Sequence, residues 1–225
     1  MGIKILTDSS ADYELQEIKE KDILYVPMTI NFNDGTFLDG IELSKNEFFD
    51  RLVNHGDFPS TSQPTPHAFL EIFEEAKKNN DTVIAILISS SLSGTYQGAQ
   101  LAKNMAEYEN IYLIDSLTAT TGVKMLVDIA VNMRDSGCTA EEIVEKIEAL
   151  KSKVRILAGM NTLEYLYKGG RLSKLEAGIG TLANLKPIIT IEKDGKIGTC
   201  GKCIGKTKAC NQIIKLINQY PIDNN

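Results

Sequence analysis

Apolar residues come in two rhythms along this chain. Short runs with few polar interruptions, IKIL (3–6), LYVPMTINF (24–32), TVIAILI (82–88) and NIYLID (110–115), read as strands. The run at 82–88 is apolar after its threonine, the mark of a strand buried on both faces. Between these runs the apolar positions fall at helical spacing. SKNE (44–47) is a capping-box pattern opening a helix through Phe48, Phe49 and Leu52, and TAEE (139–142) repeats the pattern at the head of a helix over 139–153. HAFLEIFEEAKK (67–78) has Thr65 placed as its cap and Pro66 at its first position. TYQGAQLAKNMAE (95–107) and TTGVKMLVDIAVNMRDSG (120–137), the latter stopped by Gly137, continue the alternation. Strands alternating with helices over short connections predict a parallel sheet covered on both faces.

The pattern changes past Lys151. VRILAGM (154–160) comes first, and KPIITIEKDGKIGT (186–199) reads as a strand folded back at Asp194-Gly195 into a hairpin, which brings antiparallel pairing. LEYLYKGGRLS (163–173) and a helix through Leu175 and Ile179 lie between them, and ACNQIIKLINQY (209–220) ends as a helix near Pro221. The expected fold is α/β in two parts: a parallel α/β/α domain over 1–150 and a second α/β domain with antiparallel strands over 151–225.

Composition narrows the function classes. With 43% hydrophobic residues in 225, the chain can bury a sizeable core. The net charge is −6 and the two signs are interspersed, against a nucleic-acid partner, which needs clustered Lys and Arg. No run reaches the ~20 apolar residues of a bilayer span. MGIKILTDSS lacks the long apolar stretch and cleavage site of a signal peptide, so a cytoplasmic location is expected. Cys200, Cys203 and Cys210 offer three soft ligands where structural zinc takes four, and neither His55 nor His67 is near them in sequence. Reduced thiols and no metal are expected.

Ligands of open parallel sheets bind beyond the carboxyl ends of the strands. TDSS (7–10), SSSLSGT (89–95) and DSLTATTG (115–122) each follow an apolar run, and TSQP (61–64) precedes a helix. Ser, Thr and Asp also serve plainly as caps and turns. Their recurrence at strand ends favours one shared site. A serine nucleophile would want G-x-S-x-G and a base, and the chain has no such pentapeptide at 89–93 and only two histidines. A Walker loop is absent as well: GKCIGKT (201–207) is one residue short between its glycines. KGGRLS (168–173) groups two glycines and Arg171 for an anion, with a plain helix-to-helix turn as the alternative. The third chemistry is a carboxylate held by neutral hydroxyls, Thr61 and Ser93, each bond to a charged acceptor contributing about 1.5–3 kcal/mol. An acyl tail would add about 0.8 kcal/mol per buried CH₂, and the donors alone leave open whether there is one.

TDSS, STSQP, SSSLSGTYQGA, the IDS at 114–116, LEYLYKGGRLS and LKPIITIEKDG occur in the order seen in the DegV family, which the chain resembles over essentially its whole length. The resemblance implies a bacterial protein of two α/β domains that binds a long-chain fatty acid in a tunnel between them. It implies no catalysis by this chain, no cofactor and only transient membrane contact. A member of this kind presents the carboxylate to a separate ATP-using subunit of fatty acid kinase, which makes the acyl phosphate. Matched by motif, Thr61 and Ser62 of STSQP and Ser93 with Gly94 of SLSGT hold the head group, and Arg171 of GGR stands near the mouth. Ile204 and Lys206 stand where the resemblance implies spaced arginines for the kinase partner, and neither replaces a bidentate guanidinium. The family pattern also continues past IDNN, with further strands and a Gly-rich motif bearing a histidine. The second domain is therefore expected to be incomplete relative to the family, with an exposed strand edge, whether as a short natural relative or a truncation. The rival reading is a serine-dependent hydrolase or acyltransferase on small esters.

Overall fold

The computed structural model describes residues 2–56, 58–173 and 184–220. The chain divides into two units, Met1–Val154 and Arg155–Asn225. The first unit opens with β1 (Ile3–Asp8), α1 (Leu15–Glu20), β2 (Ile23–Val26), β3 (Thr29–Phe32), β4 (Gly35–Leu38), α2 (Lys45–Asp50) and β5 (Ser60–Ser62). It continues with α3 (Pro66–Asn79), β6 (Thr82–Leu87), α4 (Thr95–Ala106), β7 (Ile111–Asp115), α5 (Thr121–Asp135) and α6 (Ala140–Lys151).

Four strands form the expected parallel sheet, in the order β2-β1-β6-β7. Central β6 is buried along its whole length, paired with β1 on one side and β7 on the other. Its alternate residues feed two cores, as a period of two requires. Ile84 and Ile86 pack with Val123, Leu126 and Val127 of α5 and Ile143 and Ile147 of α6. Val83, Ala85 and Leu87 pack with Phe69 and Phe73 of α3 and with Ala99 and Ala102 of α4. Each large side chain fully buried this way contributes about 1.5–3 kcal/mol. The caps sit where the sequence puts them. Ser44 with Glu47, and Thr139 with Glu142, close reciprocal capping boxes on α2 and α6, and Thr65 accepts the Ala68 N–H ahead of Pro66.

One expectation is corrected. LYVPMTINF is two strands in two sheets, divided at Pro27-Met28. Proline has no N–H to continue a ladder. β2 joins the parallel sheet, while β3 enters a small antiparallel sheet of order β4-β3-β5. The turn at Asn33-Asp34 leads into β4, and β5 is a strand of three exposed residues.

The second unit contains β8 (Leu157–Gly159), α7 (Glu164–Lys168), β9 (Leu185–Ile191), β10 (Ile197–Ile204) and α8 (Lys206–Ile217). Its sheet is antiparallel, of order β10-β9-β8, and the β9–β10 turn uses Gly195 at φ +79°. Leu163, Leu172 and Ile189 form its buried cluster. The helix expected through Leu175 and Ile179 lies outside the described residues. The Walker-like GKCIGKT is strand up to Ile204, and Gly205 then opens α8 at φ +87°. No described helix is long and apolar enough to cross a membrane. All four cysteines are free.

Candidate functional site

The register of the parallel sheet brings three polar motifs to one edge. Thr7 of β1 pairs with Ile86 of β6, and Leu87 of β6 pairs with Asp115 of β7. TDSS, SSSLSG and DSLTATTG therefore leave the sheet side by side. The middle segment is held throughout by its backbone. The Ile88 N–H donates to Asp8 Oδ2 at 2.8 Å, that of Ser89 to the Thr118 carbonyl at 2.9 Å, and that of Ser90 to Asp115 Oδ1 at 3.1 Å. The Ser91 N–H donates to Ser89 Oγ at 3.2 Å, and those of Leu92 and Ser93 donate to the Ser89 carbonyl at 2.9 and 3.2 Å. Six consecutive amides are thus committed within the chain. A phosphate cradle built on successive backbone N–H groups has no donors left over 88–93. What this stretch can offer a ligand is hydroxyl groups.

Asp8 is fully buried, and burial pushes its carboxyl above the usual carboxylate range, with hydrogen bonds from Ser10 and Ile88 pulling the other way. Its Oδ1 accepts the Ser10 N–H at 2.9 Å. Next to it, Ser9 Oγ accepts the Met28 N–H at 3.0 Å, tying TDSS to the start of β3. Beyond β7 the chain turns sharply, with Leu117 at φ 52° and Thr120 at φ 50°. Positive φ is strained for a β-branched residue, and such strain gathers at functional loops.

Ser93 is half-buried and stands at the start of α4. Its Oγ lies 2.8 Å from Thr95 Oγ1 and accepts the Thr95 N–H at 3.3 Å. Thr95 itself is fully buried. A hydroxyl has one proton and two lone pairs. With the Thr95 hydroxyl as donor, Ser93 keeps its own proton for an outside acceptor. Its partner is a hydroxyl rather than an imidazole. His67, with 76% of its side chain exposed, stands 3.4 Å from Glu71 on α3. Among the described residues, no group of three or more His, Cys, Asp or Glu could hold a metal ion.

Gly94 explains how a second motif reaches this turn. A Cβ built there would stand 1.8 Å from Gln63 Oε1, so the Gln63 amide lies across the glycine. A Cβ on Gly98 would be 3.6 Å from the Pro64 carbonyl. STSQP therefore rests on SLSGT, and Gly94 permits the approach, while Gly98, one helical turn on, has room for a methyl group. Gln63 was not foreseen as part of the site. The available signal was Gly94 itself, a glycine at the head of a helix just after a buried strand.

Thr61 and Ser62 lie on opposite faces of β5. Thr61 pairs with Ile30, which pairs in turn with Phe37, so its hydroxyl borders the apolar face formed with Phe32, Leu43 and Phe48. Ser62 faces the other way, where Asn31 Nδ2 donates to its Oγ at 3.1 Å. Both residues are exposed.

Arg171 belongs to the second unit. The expected cradle of amides around it closes the end of α7 instead. The N–H groups of Gly169, Gly170 and Arg171 donate to the carbonyls of Tyr165, Tyr167 and Leu166, each at 2.9 Å, with Gly170 at φ +76°. The guanidinium donates to the Gly169 carbonyl. It sits at the negative end of the helix, and an anion would meet the guanidinium rather than the amides.

Comparison with known proteins gives a consistent result. The family model described as "Uncharacterised protein, DegV family" matches residues 2–224. A DegV domain-containing protein of Caldanaerobacter subterraneus is 40% identical over 221 residues, covering 98% of this chain and 78% of that relative. A solved DegV family protein from Thermus thermophilus, described by its fatty acid binding, superposes with a TM-score of 0.87 at 32% identity, over 97% of this chain and 78% of its own. A stearic acid-binding protein from Eubacterium ventriosum superposes with a TM-score of 0.89 at 30% identity, over 98% of this chain and 76% of its own.

Proposed function

The chain belongs to the DegV family, and on that premise we propose that it binds a long-chain fatty acid and carries it without transforming it. The observation that carries this reading is the set of committed amides over 88–93, which leaves neutral hydroxyls as the donors at the strand ends. A carboxylate needs no more than this. Each hydroxyl bond to it contributes about 1.5–3 kcal/mol. The acyl tail supplies the larger share, at about 0.8 kcal/mol per buried CH₂. The head group is assigned to Ser93 together with Thr61 or Ser62, which lie on opposite faces of β5 and so offer one carboxylate a single hydroxyl between them, with Gly94 keeping STSQP close. In this scheme Ser62 accepts from Asn31 and donates its own proton to the ligand, and Ser93 does the same when the Thr95 hydroxyl donates to it. Fatty acid binding by solved relatives supports a fatty acid as the ligand.

Neutral donors have a chemical consequence. A carboxylate that is not ion-paired keeps its charge and its reactivity toward an incoming phosphoryl group. We assign that step to a separate kinase subunit and Arg171 to the phosphoryl group or to that partner. Ile204 and Lys206 flank the start of α8 and would meet the partner with one cation where two guanidinium groups are expected.

Native mass spectrometry of the purified protein tests the binding itself. A co-purified fatty acid, or uptake of palmitate by emptied protein, is expected. Ser93→Ala should weaken that uptake by about 1–3 kcal/mol. Protein that emerges empty and takes up neither palmitate nor oleate overturns the reading.

A further inference from the structure

Two aspartates shape the donor loop without being assigned to the ligand. Asp8 is the last residue of β1 and Asp115 the last residue of β7, and β6 lies between those strands. Each reaches inward to the segment leaving β6. Asp8 divides its oxygens, Oδ1 accepting from Ser10 at 2.9 Å and Oδ2 from Ile88 at 2.8 Å. Asp115 uses a single oxygen, Oδ1, for both Ser90 and Leu117, each at 3.1 Å. Each carboxylate so joins the turn after its own strand to the central loop. The Thr118 carbonyl holds the Ser89 N–H between the two points.

The grip extends to Ser93. The Ser89 carbonyl accepts the N–H groups of both Leu92 and Ser93, and Ser89 Oγ accepts that of Ser91. Where Ser89 sits therefore decides where Ser93 sits, and Ser89 is fixed by its neighbours on both sides. We propose that Asp8 and Asp115 are positioning residues that set the head-group selectivity of the site, clamping the backbone of 88–90 so that the Ser93 hydroxyl is aimed at a carboxylate. Packing thus fixes the central strand, and carboxylates on its neighbours fix the loop that follows.

This inference rests on the fatty-acid reading, and its test separates the two. Affinities for palmitic acid and for hexadecanol are measured on the full chain, with thermal melts as a check on folding. The two ligands share a tail and differ in the head group. Asp115→Ala is expected to lose about ten-fold of the preference for the acid while hexadecanol affinity stays within about two-fold. Asp115→Asn should retain the preference, because one carbonyl oxygen can accept both N–H groups. Asp8→Asn should lose it, because Asn has one such oxygen where two are used. An Asp115→Ala protein that keeps the wild-type preference, or that loses acid and alcohol alike, overturns the positioning role while leaving fatty-acid binding intact. Wild-type protein that binds no palmitate takes down both.

Discussion

Asp8 can be weighed by its titration as well as by its geometry. It is fully buried, and burial is the main cause that raises its carboxyl above 3.8, against opposing hydrogen bonds from Ser10 and Ile88. Folding therefore favours the protonated form. The stability linked to this group is complete below the unfolded value near 3.8 and is lost as pH rises through the higher folded value. Asp8→Asn does not titrate. Thermal melts of both proteins from about pH 4 to about pH 8 should show wild-type stability falling relative to the variant as pH rises. A gap that is flat in pH would mean that Asp8 keeps an ordinary pKa. Exposed carboxylates with lowered pKa, Glu47 and Glu141 among them, work in the opposite direction but are common to both proteins. At this scale the place of Ser93 and Gly94 was legible in the sequence, because they follow a plainly buried strand. The role of Asp8 was not, since a carboxylate at a strand end reads equally well as a turn residue until its partner 80 positions away is known.

Elements were legible where they carry their own signal. β6 announced itself by an unbroken apolar run, and α6 by the capping box at its head. That box is testable alone. Thr139 accepts the Glu142 N–H at 3.3 Å, and Glu142 Oε2 accepts the Thr139 N–H at 2.7 Å. Thr139→Ala should cost about 1 kcal/mol in a denaturant melt, with the slope unchanged. A change within measurement error would show that the cap contributes nothing net. Elements that depend on a partner were missed. β4 has four residues and β5 three, all polar in β5, too few to show a period, and pairing with β3 makes them strands. α1 has six residues, one of them buried, so no periodicity marked it. The division of LYVPMTINF rests on one proline and on the separate sheets that claim its halves.

Across the molecule, the two units differ in how much core holds them. Among the described residues, the first has two large clusters meeting at β6, whereas the second has Leu163, Leu172 and Ile189 with partly buried neighbours, and buried Ile188 and Ala209 outside that cluster. Opening free energies follow such local burial. Hydrogen exchange followed by mass spectrometry should find the amides of β6 the last to exchange and those of β9 and β10 clearly earlier. Equal protection in the hairpin would show that its small core is not what limits it. The fold class was legible at this scale, because alternating strands and helices leave few alternatives to a covered parallel sheet. The clamp on 88–93 also bears on how such a molecule diversifies. It acts on amide hydrogens, which every residue but proline possesses. Side chains that the frame does not use can then change without disturbing it; Ser89, whose hydroxyl is part of the turn, and buried Leu92 are not among them. Selection or design can therefore retune what the loop recognises at half-buried Ser93 with the backbone frame kept, provided the new side chain still meets the buried Thr95 hydroxyl.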